Sequence, residues 1–473
     1  MTDQALPLCV DMDGTLIHSD LLIESALALL ARNPLYGFAM LLWLFRGKAY
    51  LKQEIARRCE IQVATLPFNA ALIDWLREQR LRRPLVLCTA SDAKLASAVA
   101  DHLGLFSEVM ASDGITNLSG HNKCRALVRK FGERCFDYAG NGTADIVVWR
   151  HARNAIVVNA TPALQRTAAR AAPIERVFER RPRRLKVWFR ALRLHQWLKN
   201  LLIFLPLLTA HRLFDISALT DAGLGFLSFG LCASGVYLLN DLLDLDADRQ
   251  HPRKRRRPFA SGSLPLAAGL IAAPLLTLGA FGLAVALDPR FALVLLGYYV
   301  LTLAYSLWLK RIVMLDVIVL AALYTVRIIA GTVVIDQALS FWLLAFSMFI
   351  FLSLAMLKRY TELLAMQTNG ESKASGRGYN VDDLALIQSL GGASGYLSVL
   401  VLALYINSTA SEALYRHPQV LWLLCPLLLY WISRVWVIAH RGLMHDDPVI
   451  FAVVDRVSRV VLALGALVVI GAL

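Results

Sequence analysis

Two rhythms of apolar and polar positions run along the 473-residue chain. Over residues 1–172, short apolar runs such as LPLCVDMD, PLVLCTAS, CFDYAGN and NAIVVN alternate with helix-like stretches and glycine-containing turns. That alternation predicts an α/β domain built on a doubly wound parallel sheet. An apolar insertion at residues 20–60 interrupts it; within 21–45 the run is broken by Glu24, Arg32 and Pro34, which predicts a helical cap touching the membrane rather than a span. From residue 196 onward come nine long apolar stretches, near 196–211, 218–240, 266–287, 291–308, 313–334, 340–357, 388–409, 418–439 and 453–473. A bilayer crossing needs roughly 17 to 25 such residues, which most of them supply, the first only marginally. They predict an all-α, nine-helix transmembrane bundle over 196–473. Between the two regions, residues 173–195 are rich in arginine spaced with Trp and Phe, the pattern of a basic amphipathic linker helix lying on the inner leaflet.

Composition narrows this picture. With 57% hydrophobic and 18% charged residues the chain is too apolar for a purely soluble enzyme. Its net charge of +14 suits anionic lipid or phosphorylated substrates. Charge alone would admit nucleic acid, but no nucleic-acid partner is expected. The seven cysteines are odd in number and form no CxxC pair, so reduced thiols are expected, with neither a disulfide framework nor a zinc site. MTDQALPLCVDMDG lacks the basic start of a secretory signal and reads as an entering strand. With the N-terminus inside, the inner loops hold Arg249, the Arg253–Arg257 run, Lys310, Arg311, Lys358, Arg359, Lys373, Arg377 and Arg441, whereas the outer loops hold Arg212, Arg290 and Arg416. This asymmetry predicts a multi-pass protein of a bacterial inner membrane, its N-terminal domain and active sites cytosolic and its C-terminus outside.

One inner loop carries unusual chemistry. NDLLDLDADRQHPRKRRRPFASG, residues 240–262, sets Asn240 and four aspartates ahead of five consecutive basic residues. If the preceding helix continues, at about 100° per residue Asn240, Asp241, Asp244 and Asp248 share one face and Asp246 lies opposite. Carboxylates crowded on one face need cations among them, and oxygen-only ligands favour Mg²⁺, which keeps waters and shares substrate phosphates. Arg253, Lys254 and Arg257 are then placed to hold phosphate oxygens. An acidic helix end balanced by a basic loop would explain the basic run but not the one-sided spacing.

NDxxDxxxD at the cytosolic end of the second helix resembles the first aspartate motif of the UbiA superfamily of membrane prenyltransferases, a likeness extending over residues 193–473. RLHQWLKN (193–200), the stretch above and LKRYTEL (357–363) are most similar to the branch that transfers phosphoribose from phosphoribosyl pyrophosphate to a polyprenyl (decaprenyl) phosphate. Members using prenyl diphosphates usually carry a second Asp-rich motif after the sixth helix; here only Asp382 and Asp383 are present, out of pattern. Lys358, Arg359 and Glu362 instead lie within about 100° of one helical face, which suits a donor bearing extra phosphate charge. The resemblance implies metal-assisted departure of pyrophosphate and attack by the lipid phosphate. Arg327 lies about 20 Å along its helix, at a depth where an ionisable group is a functional candidate. We expect it to steady the acceptor phosphate or Asp316, which shares its face. Lys199, Asn200 and His195 are further phosphate candidates.

In the N-terminal region, VDMDGTL (10–16) follows an apolar strand and resembles motif I of the haloacid dehalogenase (HAD) superfamily. The likeness runs over about residues 5–160 and implies Asp11 as a nucleophile forming an aspartyl phosphate and Asp13 as the general acid and base. By the same likeness Thr89 fits motif II, Lys123 fits motif III, and AGNGTAD supplies Asn141 and Asp145, with Asp11 and Asp13, to a second Mg²⁺ site. Asn141 replaces the usual first aspartate but still presents a carbonyl oxygen.

Together the two likenesses imply a bifunctional enzyme: transfer of 5-phosphoribose to a polyprenyl phosphate, then removal of the 5-phosphate. The alternatives are an aromatic prenyltransferase of the quinone type with an accessory HAD domain, which the missing second motif argues against, and a nonenzymatic lipid-binding or transport protein, which would show inverted repeats or broken helices.

Overall fold

The computed structural model describes residues 6–179, 185–368, 378–444 and 447–473. Lys373 and Arg377, counted above among the inner-loop cations, lie outside the described residues, as does the middle of the arginine-rich linker. The chain divides into two compact units, Met1–Leu192 with Tyr237–Ala273, and Arg193–Val236 with Pro274–Leu473. The carboxylate-rich stretch thus clusters with the N-terminal region, and the first division of the chain, between Leu192 and Arg193, falls within the stretch read as linker.

Unit one holds a six-stranded sheet, β1 Leu8–Val10, β2 Leu85–Asp92, β3 Glu108–Ser112, β4 Asp137–Gly140, β5 Ala155–Val158 and β6 Ile174–Phe178, in the order 3-2-1-4-5-6. Every pairing is parallel. A parallel sheet covered on both faces needs strands that are apolar throughout. Successive residues therefore enter opposite cores: Leu8 and Val10 pack with Leu85 and Leu87 on one side, and Cys9 packs with Val86, Cys88 and Tyr138 on the other. β6 falls in the stretch read as linker; only Leu185–Ala191 of that stretch is a described helix. The strand order reverses between β1 and β4, so the carboxyl ends of these two strands flank the crevice where doubly wound sheets bind ligands. After β1 the chain forms the expected cap, α1 Leu21–Arg32, α2 Tyr36–Phe45 and α3 Lys48–Arg58. Asp20 starts α1 by accepting from the backbone N of Ile23.

Among the described residues seven helices are long and apolar enough to cross a membrane, not nine. The first predicted stretch forms a 3₁₀ helix, Leu194–Phe204, and a short α-helix, Leu205–Thr209. Its Lys199 and Asn200 turn inward. The last is interrupted at Asp455, whose extended backbone ends Pro448–Val454 and whose carboxylate caps Arg456–Ala472 while pairing with Arg434 at 2.7 Å. Within unit two, small residues permit close packing: a side chain at Gly331 would collide with the carbonyl of Ile203, and one at Gly391 with Trp436. All seven cysteines are free.

Candidate active sites

The first site lies at the carboxyl ends of β1 and β4. Asp11 follows β1, and its Oδ1 accepts a hydrogen bond from Lys123 Nζ at 2.7 Å. The same ammonium donates to Tyr138 Oη at 2.9 Å and lies 4.0 Å from Asp145 Oδ1. One buried cation thus offsets two buried carboxylates. Burial draws Lys123 down, but Asp11 and Asp145 outweigh it and hold its pKa above the ordinary value. Burial pushes the Asp11 carboxyl up to about 6, with Lys123 opposing and Asp145 adding. Asp13 is pushed up to about 7, by burial first and by Asp20 second. Its two oxygens accept from the backbone N of Leu21 at 2.9 Å and from Ser91 Oγ at 2.7 Å. Between the two aspartates and the fourth strand, Gly14 adopts φ +74°, and a side chain there would collide with the Asn141 amide.

Thr89, the expected hydroxyl, is fully buried within β2, and its Oγ1 accepts from the backbone N of Ser91. Ser91 makes the contact to Asp13. It lies two residues on, the same face of a strand, a signal that the period of two carried. Lys52 of the cap was also missed; its Nζ donates to the Ala90 carbonyl at 2.6 Å and to Asn117 Oδ1 at 2.8 Å. Asp145 spends one oxygen on the Tyr138 hydroxyl and the other on the backbone N of Asn141 and Gly142. A cavity of about 430 Å³ opens at Asp13, with Ser19, Asp20, Asn141 and Asn159 among its polar walls.

In the carboxylate-rich stretch the helix Ile216–Leu243 carries Asn240 and Asp241, and a second helix, Leu245–Gln250, carries Asp246 and Asp248. Asp244 joins them with the i to i−4 hydrogen bonds maintained on both sides, from Asp244 N to Asn240 O and from Asp248 N to Asp244 O. Asp241 and Asp248 are buried, and both accept from Arg257 Nη1, at 3.1 and 2.6 Å. Burial raises the Asp248 pKa, with Arg257 opposing. Asp244 is half-buried. Asp246 turns elsewhere: burial and then Glu24 raise its pKa, with Arg249 opposing. Arg253 and Lys254 are exposed.

Among the described residues no three His, Cys, Asp or Glu side chains form a ready-made metal cage. Two carboxylates already drawn around one cationic nitrogen nevertheless fit Mg²⁺, which takes few protein oxygens and fills its shell with water and phosphate. At the sheet site, burial strips solvent from the Asp11 and Asp13 carboxyls, with Asp145 and Asp20 nearby, and a divalent ion suits such a group of oxygens.

In unit two the predicted site residues fall into separate charged clusters. Asp447 pairs with Lys199 at 2.7 Å and Lys358 at 3.1 Å. Burial alone would raise its carboxyl, but the two ammonium groups hold it well below the usual range. Asp447 was not foreseen from sequence. Arg327 bonds Asn200 Oδ1 at 2.8 Å and Tyr298 Oη at 3.0 Å, and also its own helix at the Leu323 carbonyl. The amide nitrogen of Asn200 is buried without an acceptor, a donor left over for a ligand oxygen. The expected Arg327–Asp316 pairing is not made, because eleven residues of helix separate the two by about 16 Å even though they share a face. Asp316 instead pairs with Arg359 at 2.5 Å and accepts from the Tyr379 hydroxyl. Arg359 also bonds Glu362 and Tyr305. It is 1% exposed and neutralised on two sides, a buried ion-pair member.

The model of the UbiA prenyltransferase family matches residues 201–453, more than half of the chain. The uncharacterised protein y4nM of Sinorhizobium fredii is 36% identical over 96% of this chain and 89% of its own length. Nodulation protein NoeC of Azorhizobium caulinodans is 36% identical over 57% of this chain and 88% of its own. Decaprenyl-phosphate phosphoribosyltransferase of Mycobacterium tuberculosis is 35% identical over 43% of this chain and 70% of its own. With membrane-length helices, an Asp-rich helix end and a family match across them, the protein belongs to the UbiA prenyltransferase family.

Proposed function

We propose that this chain is a bifunctional membrane enzyme that transfers 5-phosphoribose from phosphoribosyl pyrophosphate to a polyprenyl phosphate and then hydrolyses the 5-phosphate. The observation that carries the reading is one chain joining two parts: a transferase similar to the decaprenyl-phosphate phosphoribosyltransferases, and a sheet site where Asp11, Asp13 and Lys123 meet. Transfer leaves a lipid-linked ribose 5-phosphate, the kind of phosphomonoester that a HAD-type site of this chemistry consumes.

In the transferase, Asp241, Asp244 and Asp248, with Asn240, would hold Mg²⁺, which supplies charge neutralisation on a departing pyrophosphate. Lys199, Lys358 and the free Asn200 amide are the donors for phosphate oxygens, with Arg327 orienting Asn200. In the hydrolase, Asp11 attacks phosphorus while the bond to the sugar oxygen breaks, and Asp13 gives that oxygen its proton. A carboxyl pushed up to about 7 is suited to carrying a proton near neutrality. Asp13 then takes a proton from water as the water opens the aspartyl phosphate, releasing phosphate and restoring Asp11. Lys123 stabilises the negative charge throughout. The loop charges favour both sites on the cytosolic side of a bacterial inner membrane.

The test supplies purified protein with labelled phosphoribosyl pyrophosphate, polyprenyl phosphate and Mg²⁺, and identifies the lipid products by mass. Asp11→Asn keeps the shape but removes the nucleophilic oxygen anion, so it should accumulate a lipid one phosphate heavier than the wild-type product. If both proteins give the same dephosphorylated lipid, the sheet site is not the phosphatase. If neither gives lipid-linked ribose, the phosphoribosyl reading falls.

A further inference from the structure

Unit one includes a segment that is far away in sequence from the sheet. Arg249 makes a two-pronged salt bridge to Glu24 of α1, with both bonds 2.6 Å long and both side chains buried. Its Nε also donates to the Ala260 carbonyl at 3.2 Å. Two residues later Gly262 adopts φ +66°, and a side chain there would stand 2.6 Å from His18 Cβ. These contacts bring residues 262–267, separated from the basic run by four residues, to the cavity that opens at Asp13.

The lining of that cavity is mixed. Near Asp13 it is polar, whereas Pro265, Leu266 and Ala267 join Ile23 and Leu164 as an apolar wall. Ser19, also in the lining, has a buried hydroxyl with no hydrogen-bond partner. An apolar wall is superfluous for a free sugar phosphate, but it matches a phosphomonoester whose alcohol portion carries a hydrocarbon chain.

Building on the phosphatase reading above, we propose that Pro265, Leu266 and Ala267 form a specificity wall of the hydrolase site, which selects a lipid-bearing sugar phosphate over the free sugar phosphate. The wall lies in the stretch that follows the Asp-rich motif, so the transferase part of the sequence supplies substrate selection to the hydrolase.

The experiment uses the full chain in detergent micelles and two probes: ribose 5-phosphate, and the same sugar phosphate bearing an alkyl phosphate at C1. The readout is the ratio of their kcat/KM values. Ala267 is exposed, so Ala267→Glu introduces charge at the wall without filling the core. This variant should lower the ratio about tenfold, and Ala267→Leu, which adds bulk but no charge, should keep it at or above the wild-type value. A ratio unaffected by Ala267→Glu overturns the wall while leaving the phosphatase standing. An equal loss in Ala267→Leu overturns it as well, because bulk rather than polarity would then be the cause. Wild type that hydrolyses neither probe removes the phosphatase reading, and the wall with it.

Discussion

At the scale of single residues, the carboxylate-rich stretch separates into groups with different surroundings. Asp241 and Asp248 share Arg257, Asp244 sits half-buried at the junction between two helices, and Asp246 faces the negative charge of Glu24. Asp241→Ala or Asp244→Ala should abolish formation of lipid product, while Asp246→Ala should retain most of it. Equal losses in the three variants would show that the division by helical face is wrong.

At the scale of elements, the contact between the helices Leu315–Val334 and Phe341–Thr368 is built around a buried ion pair, Asp316 with Arg359, closed by the Tyr379 hydroxyl. Removing one partner of such a pair strands a charge, at a cost of about 3–5 kcal/mol, whereas replacing both with apolar residues is often neutral. Arg359→Leu should therefore lower the thermal unfolding midpoint in detergent sharply, and Asp316→Leu with Arg359→Leu should recover much of the loss. A double variant as unstable as the single one would mean that Arg359 acts through something other than Asp316.

At the scale of the whole molecule, the compact units do not follow the order of the chain. Residues 237–273 cluster with a sheet domain whose first strand begins at Leu8. Glu24 and Arg249 are 225 positions apart yet meet in a buried salt bridge. Arg249→Met should raise hydrogen exchange in α1, Leu21–Arg32, because Glu24 would be left buried and unpaired. Exchange in α1 that matches wild type would remove this pair as an anchor of the unit.

Much of this protein was legible in its sequence wherever the physics is local. Strand and membrane-helix identities follow from the period and length of apolar runs, so four of the six strands, the helices after β1 and seven of the nine expected membrane helices were legible. The two overlooked strands, Glu108–Ser112 and Ile174–Phe178, are edge elements carrying charged residues, and their apolar pattern is weak. Asp11, Asp13, Lys123 and the aspartates of 241–248 could be named because contiguous motifs carry them. The partners of charged groups could not. Arg327 and Asp316 share a helical face but meet Asn200 and Arg359, and Lys199 with Lys358 converge on Asp447, because reach is set by packing between helices and not by angle along one of them. Ser91 rather than Thr89 bonds Asp13, and residues 262–267 reach the cavity, for the same reason: an ion pair or a cavity wall is a property of segments brought together in space, and only the tertiary structure decides which segments those are.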